Sequence, residues 1–247
     1  MSFNYQITIE YLGINFAGWQ KQKNGKSIQG AVEAALSKTL KTKIKIIGSG
    51  RTDAGVNAIE QSANFHCKSK INSKFKFLSS VNFFLKKYPI SILSLKIRNS
   101  RFHARHSAKK REYEYVIINR VGRLAIDINR GWLINKKLDL KKMKKAIIYF
   151  KGTHDFSAFR SSSCSSNNPI KTINSASVLK KGDKIFINFI SKSFLQKQVR
   201  SMVGCLKYIG EKKWSPNKIK QIINSKKRNN CAPPAPADGL FLKKVYY

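Results

Sequence analysis

Lys43-Ile44-Lys45-Ile46-Ile47 runs straight into Gly48-Ser49-Gly50-Arg51-Thr52-Asp53-Ala54-Gly55, and beyond that loop Gln61, Ala63, Phe65 and Cys67 recur at period two. The first run reads as a strand and the alternation as another, with three glycines in eight residues making a tight link between them. Upstream, Tyr5, Ile7, Ile9 and Tyr11 alternate as a half-buried strand, and Ser27 caps a helical stripe of Ile28, Val32, Ala35, Leu36 and Leu40. Downstream, Phe77, Val81, Phe84 and Leu85 mark a helical face that Pro89 ends before a strand at Ile90 to Ile97. Two successive strands placed between two helices give the order β-α-β-β-α-β. That is the split βαβ pattern, an antiparallel sheet with helices over one face.

The second half repeats the style without repeating the sequence. Tyr113, Tyr115 and Ile117 alternate, and Leu138 to Phe150 carries Leu140, Met143, Ile147 and Phe150 at helical spacing. Strands are predicted near 171–179 and 184–190, helices near 194–209 and 216–225, and a closing strand over 239–246. The fold class is therefore α+β, two similar α/β halves with mainly antiparallel sheets flanked by helices. The expected division is 1–108, carrying the glycine-rich loop, and 109–247, with the seam near 105–112. Ser161 to Asn168, rich in Ser and Asn, is predicted as a surface loop.

Composition narrows the partner. The chain has 247 residues, with 49 Lys plus Arg against 12 Asp plus Glu, a formal charge of +37. Apolar residues at 42% exclude a disordered basic tail. The charge favours a polyanion, a nucleic acid or an anionic membrane surface. Of the basic residues 38 are Lys and only 11 Arg, alongside 28 Ile and 19 Asn, all encoded by A/T-rich codons except Arg. Drift toward Lys on a tolerant surface accounts for part of the excess, so the scarce Arg and Asp positions carry more information. No run reaches the roughly 18–20 apolar residues of a membrane span. The first residues lack a signal-peptide pattern, and Cys67, Cys164, Cys205 and Cys231 are scattered with no CxxC. The expectation is a cytoplasmic protein with no metal cluster.

The loop at 48–55 is where chemistry is expected. It lacks the Gly-Lys-Ser/Thr ending of a P-loop and fails the third glycine of a dinucleotide loop. Arg51 and Asp53 stand two apart, so an extended loop would point them the same way. On composition alone the loop is also readable as a tight structural turn with Asp53 as a helix cap.

Gly50-Arg51-Thr52-Asp53-Ala54-Gly55-Val56 resembles the signature of the tRNA pseudouridine synthases that modify uridines just 3′ of the anticodon, positions 38, 39 and 40 of the tRNA. Further blocks are similar to the same family. They are Gly18-Trp19-Gln20 with Gln22, Ser27-Ile28-Gln29-Gly30, Phe102-His103-Ala104-Arg105 with Ser107-Ala108, and Arg111-x-Tyr113-x-Tyr115. Asp155-Phe156-Ser157-x-Phe159-Arg160, Phe194-Leu195 with Val199-Arg200-x-Met202-Val203-Gly204, and Ala235-Pro236-Ala237-x-Gly239-Leu240 complete the set. The blocks are colinear and span residues 5–246.

The resemblance implies the pseudouridine synthase fold and a cofactor-free isomerisation. The bond from uracil N1 to ribose C1′ breaks, the base turns, and C5 takes its place. It puts the essential carboxylate at Asp53, acting as nucleophile at C1′ or as base at C2′. Either role needs an ionised aspartate in a site that excludes water, and burial alone would neutralise it. A cation is therefore required, and the resemblance suggests Arg200, whose planar guanidinium can hold a carboxylate at two points. Tyr113 matches the position that stacks on the target uracil, and Leu240 lines the pocket. Arg51 contacts the backbone or fills the space left by the flipped base. Phe102, His103, Ala104, Arg105 and His106 resemble a tRNA-contact stretch. Ser163, Cys164, Ser165, Ser166 and Asn167 form another. The implied partner is the anticodon stem-loop of tRNA, bound by a homodimer, with no membrane and no metal.

Leu12 stands where the family commonly has Asp, Asn57 where His is common, Gln198 in place of a usual Met, and Asn167 where Arg is frequent. These departures bear on tRNA affinity and leave Asp53, Tyr113 and Arg200 untouched. The alternative is a basic RNA-binding protein or RNA chaperone without catalysis. A membrane-surface protein is the third reading, and it lacks the amphipathic helix with one concentrated Lys face that it would need.

Overall fold

The computed structural model describes residues 2–22 and 24–247. The chain divides into two compact units, one of residues 1–109 with 242–247 and one of residues 110–241.

In the first unit the elements are β1 (Phe3–Tyr11), α1 (Ile28–Leu40), β2 (Ile47–Gly48), β3 (Asn57–Cys67), α2 (Lys74–Leu85) and β4 (Ile90–Arg98). The sheet order is β4-β1-β3, with β1 antiparallel to both neighbours and β2 paired to β3. The closing strand of the chain, Leu240–Tyr246, lies beside β3. Tyr5, Ile7, Ile9 and Tyr11 are buried, as their alternation requires. Tyr5 stacks on Phe65 of β3 at 5.5 Å, and Phe65 lies 6.3 Å from Phe77 of α2, so the apolar side of the sheet is the side the helix covers. Truncating Phe65 to Ala would cost roughly 3–5 kcal/mol.

The other side of β1 departs from the half-buried expectation, because Asn4 and Gln6 are buried too. Asn4 donates to the carbonyls of Asn99 (3.0 Å) and Phe102 (2.8 Å), and Gln6 donates to Ser62 Oγ (2.8 Å). A polar row hidden under chain is stable only because its amides are satisfied.

The strand expected at 43–47 shrinks to Ile47–Gly48. Ile44 and Ile46 are buried, yet their N–H groups go to side chains of α1: Ile44 to Ser37 Oγ (2.9 Å) and Ile46 to Glu33 Oε1 (3.0 Å). α1 itself forms as read, with Ser27 Oγ accepting from Gly30 N at 3.2 Å.

The second unit begins with β5 (Lys110–Ile118), which pairs in parallel with the two-residue β6 (Trp132–Leu133). It continues with α3 (Leu140–Ile147), β7 (Gly152–Asp155), β8 (Ile170–Lys181), β9 (Lys184–Ser191), α4 (Gln198–Gly210) and α5 (Lys218–Ser225), and ends with the first residues of β10 (Leu240–Tyr246). Strands β5, β9, β8 and β7 lie side by side in that order, all antiparallel. Phe150, Phe156, Phe159 and Phe189, all fully buried, form its aromatic core through edge-on contacts of 5.5–5.9 Å. α4 starts later than the apolar pattern suggests. Lys197 at φ 61° turns the chain, and Gln198 Oε1 accepts from Leu195 N at 2.8 Å. Among the described residues no helix is long and apolar enough to cross a membrane.

Candidate active site

In the first unit the Asp53 loop leaves the sheet at Gly48 and returns at Asn57. Buried Ser49 pins its start: the N–H donates to Ser62 O (2.8 Å) and the hydroxyl to Gln61 Oε1 (2.7 Å). Gln61 Nε2 then donates to Gly50 O at 2.9 Å. The residue before Asp53 is held twice. Thr52 Oγ1 shares a hydrogen bond with Tyr11 OH (2.8 Å), and Thr52 O accepts from Trp19 N (3.1 Å). On the far side Val56 N donates to Asp53 O at 3.2 Å, closing a turn through Gly55 at φ 76°. Asp53 is thus half-buried between buried Thr52 and buried Val56, on backbone fixed from both sides.

The glycines in and around the loop do different kinds of work. Of the three in the loop only Gly55 has a positive φ. Gly48 lies against the Trp19 indole, where a Cβ would sit 2.6 Å from the ring. Gly18, at φ 105°, lies under the loop, and a Cβ there would be 2.7 Å from Thr52 O. Gly13 N donates to Asn57 Oδ1 at 2.7 Å, so this asparagine is a buried backbone clamp.

Arg51 is exposed, and its Nε donates to Gln20 Oε1 at 3.1 Å. Gln20 Nε2 donates in turn to Gln29 Oε1 (2.8 Å), and Gln29 Nε2 to Glu33 Oε1 (3.1 Å). The Gly18-Trp19-Gln20 and Ser27-Ile28-Gln29-Gly30 blocks therefore form one relay that sets Arg51.

The stretch 102–106 is also held by the first unit. Ala104 N donates to Asn64 Oδ1 (2.8 Å), and Ala104 O accepts from Tyr247 OH (2.9 Å). Phe102 lies 4.9 Å from the Tyr247 ring, with the Arg98 guanidinium 4.9 Å from the Phe102 centroid. Phe102 and Ala104 are buried, whereas Arg105 and His106 are exposed. His103 Nδ1 accepts from the N–H groups of Arg105 (3.2 Å) and His106 (3.3 Å). Its pKa falls below 6.5, through burial first and then the neighbouring His106 and Arg105 charges.

In the second unit Tyr113 is buried on β5 with its ring edge-on to Phe194 at 5.2 Å. Arg200, half-buried in the first turn of α4, donates from Nε to Ala235 O at 2.7 Å, and Ala235 N donates to Arg200 O at 2.9 Å. Tyr115, two residues along from Tyr113, donates from OH to Pro236 O at 2.9 Å. Its ring fills the space beside Gly239, where a Cβ would meet it at 2.7 Å. Burial first, and then the Asp238 charge, push the Tyr115 pKa up, so its hydroxyl keeps its proton to donate. Leu240 follows at the end of a turn closed by Leu240 N to Ala237 O (2.9 Å) and is buried. Segment 235–240 thus places the Arg200 anchor and Leu240 together.

The loop at 163–167 lies in this unit. Ser163, Ser165 and Asn167 are exposed, and Ser163 Oγ is 3.4 Å from Gln196 Oε1. Arg160 Nη1 donates to Ser166 O at 3.3 Å, and Cys164 N to Ser161 O at 3.1 Å. The Tyr115, Gln20 and Tyr247 contacts have no local sequence signal beyond membership of the motif blocks for Tyr115 and Gln20. Among the described residues no group of three or more His, Cys, Asp or Glu is placed to hold a metal ion.

Comparison with known proteins gives the chain its family. A family model described as tRNA pseudouridine synthase matches residues 146–247. A Pelagibacter ubique protein named tRNA pseudouridine synthase A is 56% identical over 245 residues, 99% of this chain and 100% of its own length. An Ehrlichia chaffeensis protein of the same name is 44% identical over 98% of this chain and 99% of its own. A solved Cbf5-Nop10-Gar1 complex aligns at TM-score 0.34 and 12% identity, over 82% of this chain and 45% of that one, too distant to bear on the site. Full-length identity at this level is decisive, and the chain belongs to the tRNA pseudouridine synthase A family.

Proposed function

We propose that this protein isomerises uridine to pseudouridine in tRNA, at the uridines just 3′ of the anticodon. The observation that supports it best is the Asp53 loop. A half-buried carboxylate sits on backbone held by Tyr11, Trp19 and Gln61, within a chain 56% identical to a protein named for this chemistry. Reaction at a sugar carbon gains most from a group that does not have to be positioned during the step.

In this reading Asp53 acts at the ribose. As nucleophile it forms a bond to C1′ while the N1 bond breaks, and the bond to Asp53 breaks when C5 attacks. As base it takes the C2′ proton and later returns it. In both cases the uracil anion keeps the electron pair of the broken bond, and C5 loses its proton at the end. Only one carboxylate is needed, because the base returns to the same sugar and no water is activated. Arg200 is the cationic partner that the family resemblance gives this carboxylate, and Tyr113 offers a ring face to the flipped uracil. Leu240 lines the base, and Arg51 meets the RNA backbone beside the vacated position. Arg105, His106 and the 163–167 loop carry phosphate contacts, with Phe102, His103 and Ala104 shaping the first of these. No cofactor enters. The homodimer, the cytoplasmic location and the division of labour between 1–108 and 109–247 belong to the same reading.

Asp53→Asn tests it. Turnover on an unmodified tRNA transcript should disappear while binding persists. Retained pseudouridine formation would overturn the assignment. Absence of turnover in the unaltered protein, with binding intact, would favour a non-catalytic RNA-binding role. Binding itself should weaken steeply with salt, as expected of a +37 chain releasing counterions.

A further inference from the structure

Cys205 and Cys231 take no part in that chemistry, yet their sulfurs lie 3.5 Å apart. Both are free thiols. Cys205 is fully buried on α4, five residues beyond Arg200. Cys231 is half-buried at the end of a short 3-10 turn, Arg228–Asn230, and begins the segment that reaches Ala235. The two stretches are packed as tightly as backbone allows, since any Cβ at Gly204 would collide with Pro233 O. α4 and segment 231–235 are thus joined at one end by the Arg200–Ala235 hydrogen bonds and at the other by two facing thiols.

We propose that Cys205 and Cys231 form an oxidisable pair that a peroxide converts to a disulfide, stapling α4 to the segment that anchors Arg200 and lowering turnover. A disulfide needs the sulfurs at about 2.05 Å, so they must close by roughly 1.5 Å. Cys231 is the attacking thiol. It is the more accessible of the two, and its pKa falls through the hydrogen bond from Cys205 and then the Arg228 guanidinium beside it. Cys205, pushed up by the same hydrogen bond and by burial, is the resolving thiol. The Cys231 thiolate attacks one peroxide oxygen, the O–O bond breaks, and the other oxygen leaves as hydroxide and takes a proton. The sulfenic acid is then attacked by Cys205 sulfur, which loses its proton as the S–O bond breaks and water leaves. Two thiols are oxidised by two electrons, and one peroxide is reduced to two waters.

The consequence for turnover rests on the role proposed for Arg200, whereas the chemistry does not. The full chain is treated with hydrogen peroxide, denatured, alkylated and digested. The expected result is a linked Cys205–Cys231 peptide pair, reversed by dithiothreitol, with Cys67 and Cys164 still alkylated. Two free thiols, or a Cys231 sulfinic acid beside free Cys205, would overturn the proposal. Turnover on tRNA transcript should fall about tenfold on oxidation, well short of the roughly hundredfold that a 1 Å misplacement can cause. It should return with dithiothreitol and stay unchanged by peroxide in Cys231→Ser. A linked pair with unaltered turnover would remove the coupling to Arg200. A protein that links its thiols but never had turnover would instead refute the enzymatic reading and leave the disulfide chemistry standing.

Discussion

Arg200 and Ala235 are joined by a reciprocal pair of hydrogen bonds, Arg200 Nε to Ala235 O at 2.7 Å and Ala235 N to Arg200 O at 2.9 Å. The guanidinium is therefore oriented by backbone, and that backbone is itself held by Tyr115 through Pro236 O. A charge fixed in this way loses little freedom when it meets a carboxylate.

Tyr115→Phe removes the hydroxyl and leaves Pro236 O without its donor. Stability should fall by about 1–3 kcal/mol. If the strap serves Arg200, kcat should fall while KM for tRNA changes little. Parallel changes in both, or none, would make Tyr115 an ordinary core residue. Arg200→Lys keeps the charge and loses the Nε anchor, and should likewise cut turnover much more than binding.

Gly18→Ala forces a side chain into a φ of 105° and against Thr52 O at 2.7 Å. Backbone strain of this kind costs about 1–3 kcal/mol. The loop would have to lift, so turnover should drop by roughly a hundredfold. Thermal unfolding and single-turnover rates separate the two effects. Unchanged turnover would mean that Asp53 does not need the Trp19–Thr52 contact.

Arg51→Ala should lower turnover by about tenfold, equivalent to roughly 1.4 kcal/mol. Gln20→Ala, which removes the tether to Arg51 Nε and its link to Gln29, should give a smaller loss in the same direction. A larger effect from Gln20 than from Arg51 would show that the relay supports something other than Arg51.

His103 should titrate below 6.5, because burial first and then the neighbouring His106 and Arg105 charges disfavour the cation. Between the folded and unfolded values the unfolded chain binds more protons, so stability falls as pH drops through that window. Above about 6.5 the contribution is intact, and below the folded value the loss is complete. Proton NMR of the imidazole reads the pKa directly, and His103→Asn should flatten this part of the stability profile. A midpoint at or above 6.5 would contradict the assignment.

Local signals were readable and non-local ones were not. Ser27 announces α1 because cap and stripe lie within one turn of each other. Ile44 and Ile46 looked like a strand, but the partners of their N–H groups are helix side chains that no alternation reveals. β6 has two residues and pairs with β5 across a long connection, so it has no period to detect. The glycine-rich loop that carries Asp53 was legible as a loop from a contiguous motif. The Gln20–Arg51 and Tyr115–Pro236 hydrogen bonds bridge 31 and 121 residues, and only the folded chain brings them into view.

The frame around Asp53 is made largely of neutral groups: Tyr11, Ser49, Thr52, Asn57 and Gln61 hold it through hydroxyls, amides and backbone. Such a frame is indifferent to how many lysines the surface accumulates. Each added surface cation raises the general attraction for RNA without entering these hydrogen bonds. Surface charge and loop geometry can therefore change independently, which lets a genome's base composition reshape most of this protein's exterior while the loop keeps its shape.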